Sequence, residues 1–327
     1  MSESDQCLDP YQFLQISLNP DGTLTRPLHD PRTSPTSDPN LPISVLTKDL
    51  TINQSNTWLR LFLPRKALNN QPSNKFPLII FFHGSGFILY SAASTVFHDF
   101  CSRMANDVEA VVASAEYRLA PEHRLPAAYD DAVEALHWIT TSPDDWLREF
   151  VDYSNCYVMG NSAGGAIAYH AGLRVVEEVS GDLEPMKIRG LILRQPFFGG
   201  IQRTESEMRL EKNPVIPLCV IDMLWELALP VGANRDHEYS NPMGGDWPGK
   251  MEKIREEGWM VMVSGNGGDP LVDGGRDLAT LMEKKGVKVV TDFEKEGCHG
   301  IEFEDPSVAL RFIEALKHFI SSSKKHG

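Results

Sequence analysis

The residues with the clearest chemical potential lie in the pentapeptide Gly160-Asn161-Ser162-Ala163-Gly164. A short apolar run precedes this Gly-x-Ser-x-Gly motif and small, helix-compatible residues follow it, which is the strand–turn–helix context of a nucleophile elbow. The turn is so tight that a Cβ at Gly160 or Gly164 is expected to strike neighbouring backbone. The pattern therefore predicts that Ser162 is presented at the top of a sheet, at a helix N-terminus that favours negative charge.

A serine hydroxyl needs a base within hydrogen-bonding reach before it can act as a nucleophile. His299 lies in the glycine-flanked segment 297–300, after a predicted strand, where it could take the serine proton and return it to a leaving alcohol. The carboxylate that orients the imidazole could be Asp269 or Asp273, which both follow a predicted strand at 259–264. The chain order Ser, Asp, His is that of α/β hydrolases.

Apolar runs that alternate with helix-like segments predict the elements that must hold these residues. A nearly continuous apolar run at 76–82 indicates a central strand buried on both faces, and the first two strands form a hairpin at the sheet edge. In chain order, the predicted strands cover 45–52, 57–63, 76–82, 110–116, 157–159, 190–195, 259–264 and 287–293. The predicted helices cover 94–106, 126–139, the elbow to 179, 218–229, 276–285 and 307–321. This alternation predicts an α/β fold with a mostly parallel central sheet and helices on both faces.

Two segments depart from this alternation. Residues 200–257 contain five prolines and one helix-like stretch, so we interpret them as an insertion between the sixth and seventh core strands. Residues 1–43 are mixed, with a short aromatic helix near the start followed by turns and prolines. This segment is either a disordered tail or an arm that packs over the domain. The core then comprises 44–199 and 258–327.

Composition narrows the possible partners and compartments. The formal net charge of −14 argues against nucleic acids and anionic membranes, because both attract basic surfaces. The five cysteines are widely spaced without a Cys-x-x-Cys pair, which argues against a disulfide framework or a zinc site and indicates a reducing compartment. The acidic N-terminus lacks the apolar core of a signal peptide. We therefore expect a cytoplasmic protein without metal or cofactor, either a monomer or a weak homodimer.

Five motifs occur in a fixed order along the chain. They are His-Gly-Ser-Gly-Phe at 83–87, Tyr-Arg-Leu-Ala-Pro-Glu at 117–122, Gly-Asn-Ser-Ala-Gly-Gly at 160–165, Asp-Pro-Leu-Val-Asp at 269–273 and His-Gly at 299–300. In this order they resemble the hormone-sensitive-lipase-like group of α/β hydrolases, and specifically plant carboxylesterases. The resemblance covers nearly the whole chain and implies an α/β-hydrolase fold that performs ester hydrolysis. It also implies a cap formed by the N-terminal arm and the insertion.

The same resemblance implies roles for further residues. It assigns the orienting carboxylate to Asp269 and leaves Asp273 as a loop brace or helix cap. Donors for the developing oxyanion are expected from the Ala163 amide and from the loop at Gly84, Ser85 and Gly86.

Ser85 departs from the His-Gly-Gly-Gly pattern of the family. Backbone donation from Ser85 and Gly86 is expected to survive this change if Ser85 has φ below zero, and its hydroxyl adds a polar group near the acyl pocket. Asn161 is a second departure, since many relatives have an acid at that position. Neither change removes a reacting group.

Several other features are interpreted as structural. The turn at 117–123 is expected to pin a strand to a helix, with Glu122 and Arg124 as ion-pair braces. Asp130 and Asp131 are expected to be solvated or to cap a helix. Some apolar residues of the insertion either pack in the core or line the substrate pocket, namely Met208, Leu218, Ile221, Met223, Leu224, Trp225 and Leu229.

Together these observations predict a serine carboxylesterase that acts on small to medium esters through an acyl-enzyme. One alternative is a specialised-metabolism enzyme on the same fold, such as a hydroxyisoflavanone dehydratase or an alkaloid-pathway enzyme that cleaves a methyl ester and decarboxylates the product. Another is a binding protein similar to the gibberellin receptors. Those receptors lack the triad histidine, whereas His299 is present here.

Overall fold

An eight-stranded sheet forms the centre of the chain. The computed structural model describes residues 8–53, 57–69, 75–177, 183–244 and 247–323. The strands are β1 (Ser17–Leu18), β2 (Leu24–Thr25), β3 (Val45–Thr51), β4 (Trp58–Pro64), β5 (Phe76–Phe82), β6 (Val111–Ala115), β7 (Val151–Asn161), β8 (Ile188–Arg194), β9 (Met260–Asn266) and β10 (Lys288–Glu294). The helices are α1 (Pro10–Phe13), α2 (Thr95–Val108), α3 (Ala127–Thr141), α4 (Asp145–Phe150), α5 (Ala163–Val175), α6 (Glu205–Arg209), α7 (Leu218–Ala228), α8 (Trp247–Glu256), α9 (Val272–Lys284) and α10 (Pro306–Ser323).

The strand order in the central sheet is β10-β9-β8-β7-β5-β6-β4-β3. The pairs β3–β4 and β4–β6 are antiparallel, and all other neighbours in this sheet are parallel. The predicted mostly parallel sheet with a hairpin at its edge is therefore confirmed. The turn that joins the hairpin falls largely at 54–56, outside the described residues.

Alternate side chains of β5 enter two different cores, which explains its continuous apolar sequence. Ile79 and Phe81 pack with α2 and α10 on one face of the sheet. Leu78, Ile80 and Phe82 pack with α3, α5 and α9 on the other face. The predicted layers of helices on both faces are confirmed.

The predicted elements match the observed ones with shifts at their ends. β7 begins at Val151 rather than near Tyr157, and α9 begins at Val272 rather than at Arg276. The short helices α4, α6 and α8 were not predicted. The expected end of the elbow helix near 179 lies outside the described residues, which show α5 ending at Val175.

The N-terminal segment packs on the domain at several points from Tyr11 onward, so the expectation of a disordered tail is wrong for its described part. Asp9 caps α1 by accepting a hydrogen bond from the Tyr11 amide at 2.9 Å. Ile16 and Leu24 are buried in the main core. We call residues 8–43 the N-terminal arm.

The expectation that Asp131 is solvated or capping is wrong. Asp131 is buried on α3 and accepts hydrogen bonds from the Arg118 backbone amide at 2.8 Å and from its guanidinium at 2.6 Å. Asp130 is more exposed and pairs with Arg174 on α5. Helical neighbours point to different faces, so one aspartate faces the turn at 117–123 and the other faces α5.

Cys101, Cys156, Cys219 and Cys298 are free thiols, and Cys7 lies outside the described residues. Throughout the described ranges, the helices are too short or too polar to span a lipid bilayer.

Candidate active site

Ser162 occupies the predicted elbow between β7 and α5, with φ 54° and ψ −122°. A Cβ at Gly160 would lie 2.0 Å from the carbonyl oxygen of Gly164, and a Cβ at Gly164 would lie 1.9 Å from that of Phe82. Both distances are far shorter than van der Waals contact, so only glycine fits at either position. The turn thus holds Ser162 in a conformation that non-glycine residues rarely adopt.

The structure brings together the three residues expected to form a proton relay. His299 Nε2 lies 2.9 Å from Ser162 Oγ, and His299 Nδ1 lies 2.8 Å from Asp269 Oδ2. Because a carboxylate only accepts hydrogen bonds, Nδ1 must carry the proton and Nε2 is left to accept from the serine hydroxyl. The second carboxylate oxygen of the fully buried Asp269 accepts from the Leu271 amide at 2.9 Å.

The electrostatic surroundings of His299 suit a base. Burial favours the neutral imidazole, but the charge and hydrogen bond of Asp269 outweigh burial and raise the pKa of His299 above its ordinary value of 6.5. A raised pKa stabilises the imidazolium that forms when the serine proton is taken. This arrangement can therefore activate Ser162 for attack on a carbonyl carbon.

Asp273, the other candidate for the orienting role, lies in the first turn of α9. Its carboxylate accepts from the Ser206 amide at 2.7 Å and pairs with Arg276 at 3.2 Å. The contact with Ser206 braces α6 against α9. Of the two aspartates, Asp269 is the one that contacts His299.

The loop after β5 lies directly against the elbow. A Cβ at Gly84 would be 3.1 Å from Ser162 Cβ and 2.9 Å from the side-chain nitrogen of Asn161. The Ala163 amide is in the first turn of α5, where helix geometry provides no acceptor within the helix. The residues expected to supply oxyanion donors therefore lie beside Ser162, and Ser85 and Gly86 line the same cavity.

The condition of a φ below zero at Ser85 is not met, because its φ is +81°. Ser85, Gly86 and Phe87 all have positive φ, and the carbonyl of Ser85 accepts from the amides of Ile88 and Leu89 at 3.2 and 3.3 Å. The loop therefore winds in the left-handed sense from Ser85 onward, a conformation that costs a non-glycine residue about 1–2 kcal/mol. Ser85 also lines the cavity beside Ser162.

The buried residues His83 and Tyr117 support this loop. Burial lowers the pKa of His83 to about 4, so its ring is neutral, and its Nδ1 lies 3.0 Å from the Gly84 carbonyl. The Tyr117 hydroxyl donates to the His83 carbonyl at 2.9 Å, and the two rings stack with centroids 4.4 Å apart. The turn at 117–123 thus supports the loop beside Ser162, a role that its sequence did not indicate.

A cavity of about 390 Å³ opens above Ser162 and His299. Its walls come from the N-terminal arm, the loop after β5, the start of α2, the segment 215–224 and the segment 299–304. Apolar side chains predominate, namely Phe13, Leu14, Leu28, Leu89, Val96, Phe97, Val215, Ile216, Val220, Leu224 and Phe303. Among the seven apolar insertion residues considered from sequence, Leu224 lines this cavity. Trp225, in contrast, stacks on Phe197 in the core.

The turn at 117–123 and the residues after it also hold two walls of the cavity. Arg26 of the arm pairs with Glu122 at 2.6 Å and donates to the Ile88 carbonyl at 2.7 Å. Burial raises the pKa of Glu122, but hydrogen bonds from Arg26 and the Leu24 amide outweigh it and lower the pKa to about 2. The predicted ion-pair role of Glu122 is confirmed.

Arg124 makes contacts of a different kind from the expected ion pair. Its guanidinium donates to the carbonyls of Glu226 and Leu229 at 2.6 and 2.7 Å. These carbonyls belong to the last turn of α7 and its end, where helix geometry leaves acceptors without partners. Arg124 therefore fixes the end of α7.

Within the residues that the structure describes, no group of three or more His, Cys, Asp or Glu side chains is arranged to hold a metal ion.

A mostly parallel sheet with a serine elbow between the central strand β7 and α5 is the architecture of α/β hydrolases. A family model described as the alpha/beta hydrolase fold matches residues 79–303. Carboxylesterase 20 of Arabidopsis thaliana is 52% identical to this chain over 98% of the chain and 99% of its own length. The chain therefore belongs to the α/β-hydrolase family, and within it to the plant carboxylesterases of the hormone-sensitive-lipase-like group.

Two further comparisons extend this similarity. The 3-O-acetylpapaveroxine carboxylesterase CXE1 of Papaver somniferum is 46% identical over 95% of this chain and 97% of its own length. A solved esterase structure from Pyrobaculum calidifontis superimposes with a TM-score of 0.70 at 25% identity, covering 87% of each chain.

Proposed function

We propose that this protein is a serine carboxylesterase that hydrolyses small to medium carboxylic esters through an acyl-enzyme. Ser162 is the nucleophile, His299 the general base and acid, and Asp269 the orienting carboxylate. The observation that carries the proposal is the continuous chain of contacts from Asp269 through His299 to Ser162, at 2.8 and 2.9 Å, beside a cavity of about 390 Å³. The carboxylesterase names of the relatives support the same chemistry.

The reaction follows from these positions. His299 Nε2 takes the hydroxyl proton while Ser162 Oγ bonds to the ester carbonyl carbon. The amides of Ala163 and of the loop at Gly84, Ser85 and Gly86 receive the oxyanion, because Ser85 keeps its N–H at a positive φ as well. Collapse of the tetrahedral intermediate breaks the bond to the alcohol oxygen, which leaves with the proton from His299. A water molecule then attacks the carbonyl carbon of the acyl-enzyme while His299 takes its proton. His299 returns that proton to Ser162 Oγ as the carboxylic acid leaves, which restores the serine hydroxyl.

We further propose that residues 1–43 and 200–257 form a cap over a hydrolase core of 44–199 and 258–327. Phe13 and Leu14 of the arm and Leu224 of α7 support this division, because they line the cavity together with Ser162. Apolar walls favour acyl or alcohol groups of modest size, since their burial contributes about 25 cal/mol per Å². The relatives named for 3-O-acetylpapaveroxine support acetyl esters of specialised metabolites as a substrate class.

Location and assembly belong to the same proposal. Widely spaced cysteines support a cytoplasmic enzyme, and the net charge of −14 supports a small-molecule substrate rather than a nucleic acid. We propose a monomer or a weak homodimer, which sedimentation velocity at several concentrations would test.

The decisive experiment compares the wild type with Ser162→Ala in p-nitrophenyl butyrate hydrolysis. We expect a burst of one p-nitrophenol per site in the wild type and no turnover in a folded Ser162→Ala variant. Ser114→Ala is the matched control, because Ser114 is a buried serine on β6 that is not part of the cavity wall. Undiminished hydrolysis by Ser162→Ala would refute the proposal.

The alternatives on this scaffold give different products or none. Incubation with plant metabolite extracts, followed by mass spectrometry, distinguishes loss of an acyl or methyl group from loss of water or of carbon dioxide. A binding protein similar to the gibberellin receptors would leave all esters intact. We expect loss of acyl groups that depends on Ser162.

A further inference from the structure

The peptide groups on both sides of His299 are bound by one side chain, that of Gln195. Its Nε2 donates to the carbonyl of Cys298 at 3.1 Å, and its Oε1 accepts from the Gly300 amide at 2.9 Å. A single amide therefore brackets the residue proposed as the base. No sequence motif of the chain includes Gln195.

Gln195 is itself held in place. It follows β8 directly, is only 2% exposed, and its backbone amide donates to the Ser264 carbonyl at 2.7 Å. Its φ of 45° lies in the left-handed region, which costs a non-glycine residue about 1–2 kcal/mol. Its two hydrogen bonds to the 298–300 segment offset this cost.

Asn266 supports the same segment from the end of β9. Its Nδ2 donates to the Cys298 carbonyl at 2.9 Å, and its Oδ1 accepts from Arg194 at 3.3 Å. Arg194 also forms a buried ion pair with Glu302 at 3.1 Å. The segment that carries His299 is thus tied at both ends to the carboxyl ends of β8 and β9.

Such support matters because the backbone around His299 is intrinsically free. Gly297 and Gly300 both have positive φ, at 92° and 71°, and glycine has the widest conformational choice in the unfolded chain. The imidazole must nevertheless meet Ser162 and Asp269 at the same time. A misplacement of about 1 Å in such an arrangement can lower the rate by about 100-fold.

We propose that Gln195, assisted by Asn266, is a positioning residue that holds the imidazole of His299 between Ser162 and Asp269. This proposal rests on the proposed esterase function and concerns how that site is kept in register. Gln195 contacts the backbone on either side of the base, not the reacting atoms.

Gln195→Met tests the proposal, because it removes both hydrogen bonds and keeps a similar length. With p-nitrophenyl butyrate we expect kcat to fall by about 10- to 100-fold while KM changes by less than about threefold. The acid limb of the kcat/KM profile should move to lower pH, because a loosened His299 loses part of the contact with Asp269 that raises its pKa. A purely structural role would leave this limb in place.

The matched control is Asn155→Leu. Asn155 is another buried amide, toward the amino end of β7, and accepts a hydrogen bond from the Tyr157 hydroxyl at 2.8 Å. We expect it to lower the melting temperature while leaving kcat and the acid limb unchanged. Gln195→Asn serves if Gln195→Met does not fold, since the amide is retained but one methylene shorter and cannot reach both peptide groups.

Each proposal can fail separately. If the wild type does not hydrolyse esters, or Ser162→Ala is as active as the wild type, the esterase function fails. If the wild type hydrolyses esters through Ser162 but a folded Gln195→Met or Gln195→Asn keeps wild-type kcat and acid limb, the positioning role is overturned.

Discussion

Replacing Asp269 with asparagine keeps the shape of the side chain and removes its charge. The carboxylate is fully buried and lies 2.8 Å from His299 Nδ1. At an effective dielectric constant of about 20, unit charges at this separation attract by about 6 kcal/mol, which is the stabilisation that the imidazolium loses. Since each 1.36 kcal/mol is about tenfold in rate, kcat is expected to fall by roughly 10⁴-fold.

The asparagine amide also disturbs the tautomer of the base. If its NH₂ group faces His299, Nδ1 becomes an acceptor and the proton moves to Nε2, which can no longer accept from Ser162. This second effect acts on kcat in the same direction. Substrate contacts in the cavity are unchanged, so KM for p-nitrophenyl acetate should stay within about threefold.

The pH profile separates this mechanism from a general loss of structure. A histidine acts as a base only when neutral, so we expect kcat/KM to rise as pH increases through the pKa of His299, which Asp269 raises above 6.5 in the wild type. In Asp269→Asn the burial of His299 remains while the raising charge is gone. The residual activity should therefore show an acid limb below 6.5, measured over pH 4.5 to 9 (a range chosen to span the ordinary pKa of about 6.5).

Asp273→Asn is the matched control, because Asp273 is the other aspartate of the same segment and contacts Ser206 and Arg276. It should keep kcat within about threefold, as expected for a group that does not touch the reacting residues. A folded Asp269→Asn that retains more than a tenth of wild-type kcat, or a large loss in Asp273→Asn alone, would refute the assignment of the orienting carboxylate.

Two further changes test the loop after β5 and the N-terminal arm. Ser85→Gly removes the strain of a left-handed non-glycine residue and should raise the free energy of unfolding in urea by about 0.5–1 kcal/mol, after allowing for the greater freedom of glycine in the unfolded chain. A lower free energy of unfolding would show that the serine hydroxyl contributes more than the strain costs. Glu122→Gln breaks the pair with Arg26 and should lower stability at pH 7 by about 1 kcal/mol and raise KM while leaving kcat within twofold. Because the pKa of Glu122 is lowered to about 2, its contribution is present above its unfolded value of about 4.5 and is lost as pH falls toward 2, so the two proteins should converge in acid; a constant difference down to pH 2 would contradict this.

Local sequence patterns predicted the sheet and the elbow because each of these features is determined by a few residues that are adjacent in the sequence. The run at 76–82 is apolar at every position since β5 is covered on both faces, and β5 was located to the residue. Gly160 and Gly164 are required by contacts within the turn itself and with β5. The pairing of His299 with Ser162 was expected from chain order and from the resemblance, and the observed geometry agrees with it.

Other features depend on contacts between distant segments, which periodicity does not encode. Asp131 looked like a surface residue of a helix, but the turn at 117–123 brings Arg118 onto it. The partner of Glu122 is Arg26, in a segment whose attachment to the domain was left open. The positive φ of Ser85 belongs to a left-handed loop closed by backbone hydrogen bonds, which the sequence does not display.

The positions of the residues that hold His299 follow from the register of the sheet and not from a sequence motif. Arg194, the last residue of β8, pairs with Ser264 on β9. Gln195, which follows Arg194, therefore lies beside the end of β9, and the last residue of β9 is Asn266. Asn266 in turn stands opposite Glu294, the last residue of β10, from which the chain returns toward the elbow with His299. The carboxyl ends of parallel strands lie at the same edge of a sheet. This register therefore brings the side-chain amides of Gln195 and Asn266, which belong to no sequence motif, to the backbone segment 298–300. The glycine-flanked loop that carries His299 is held in one position because the three adjacent strands β8, β9 and β10 end at the same edge of the sheet.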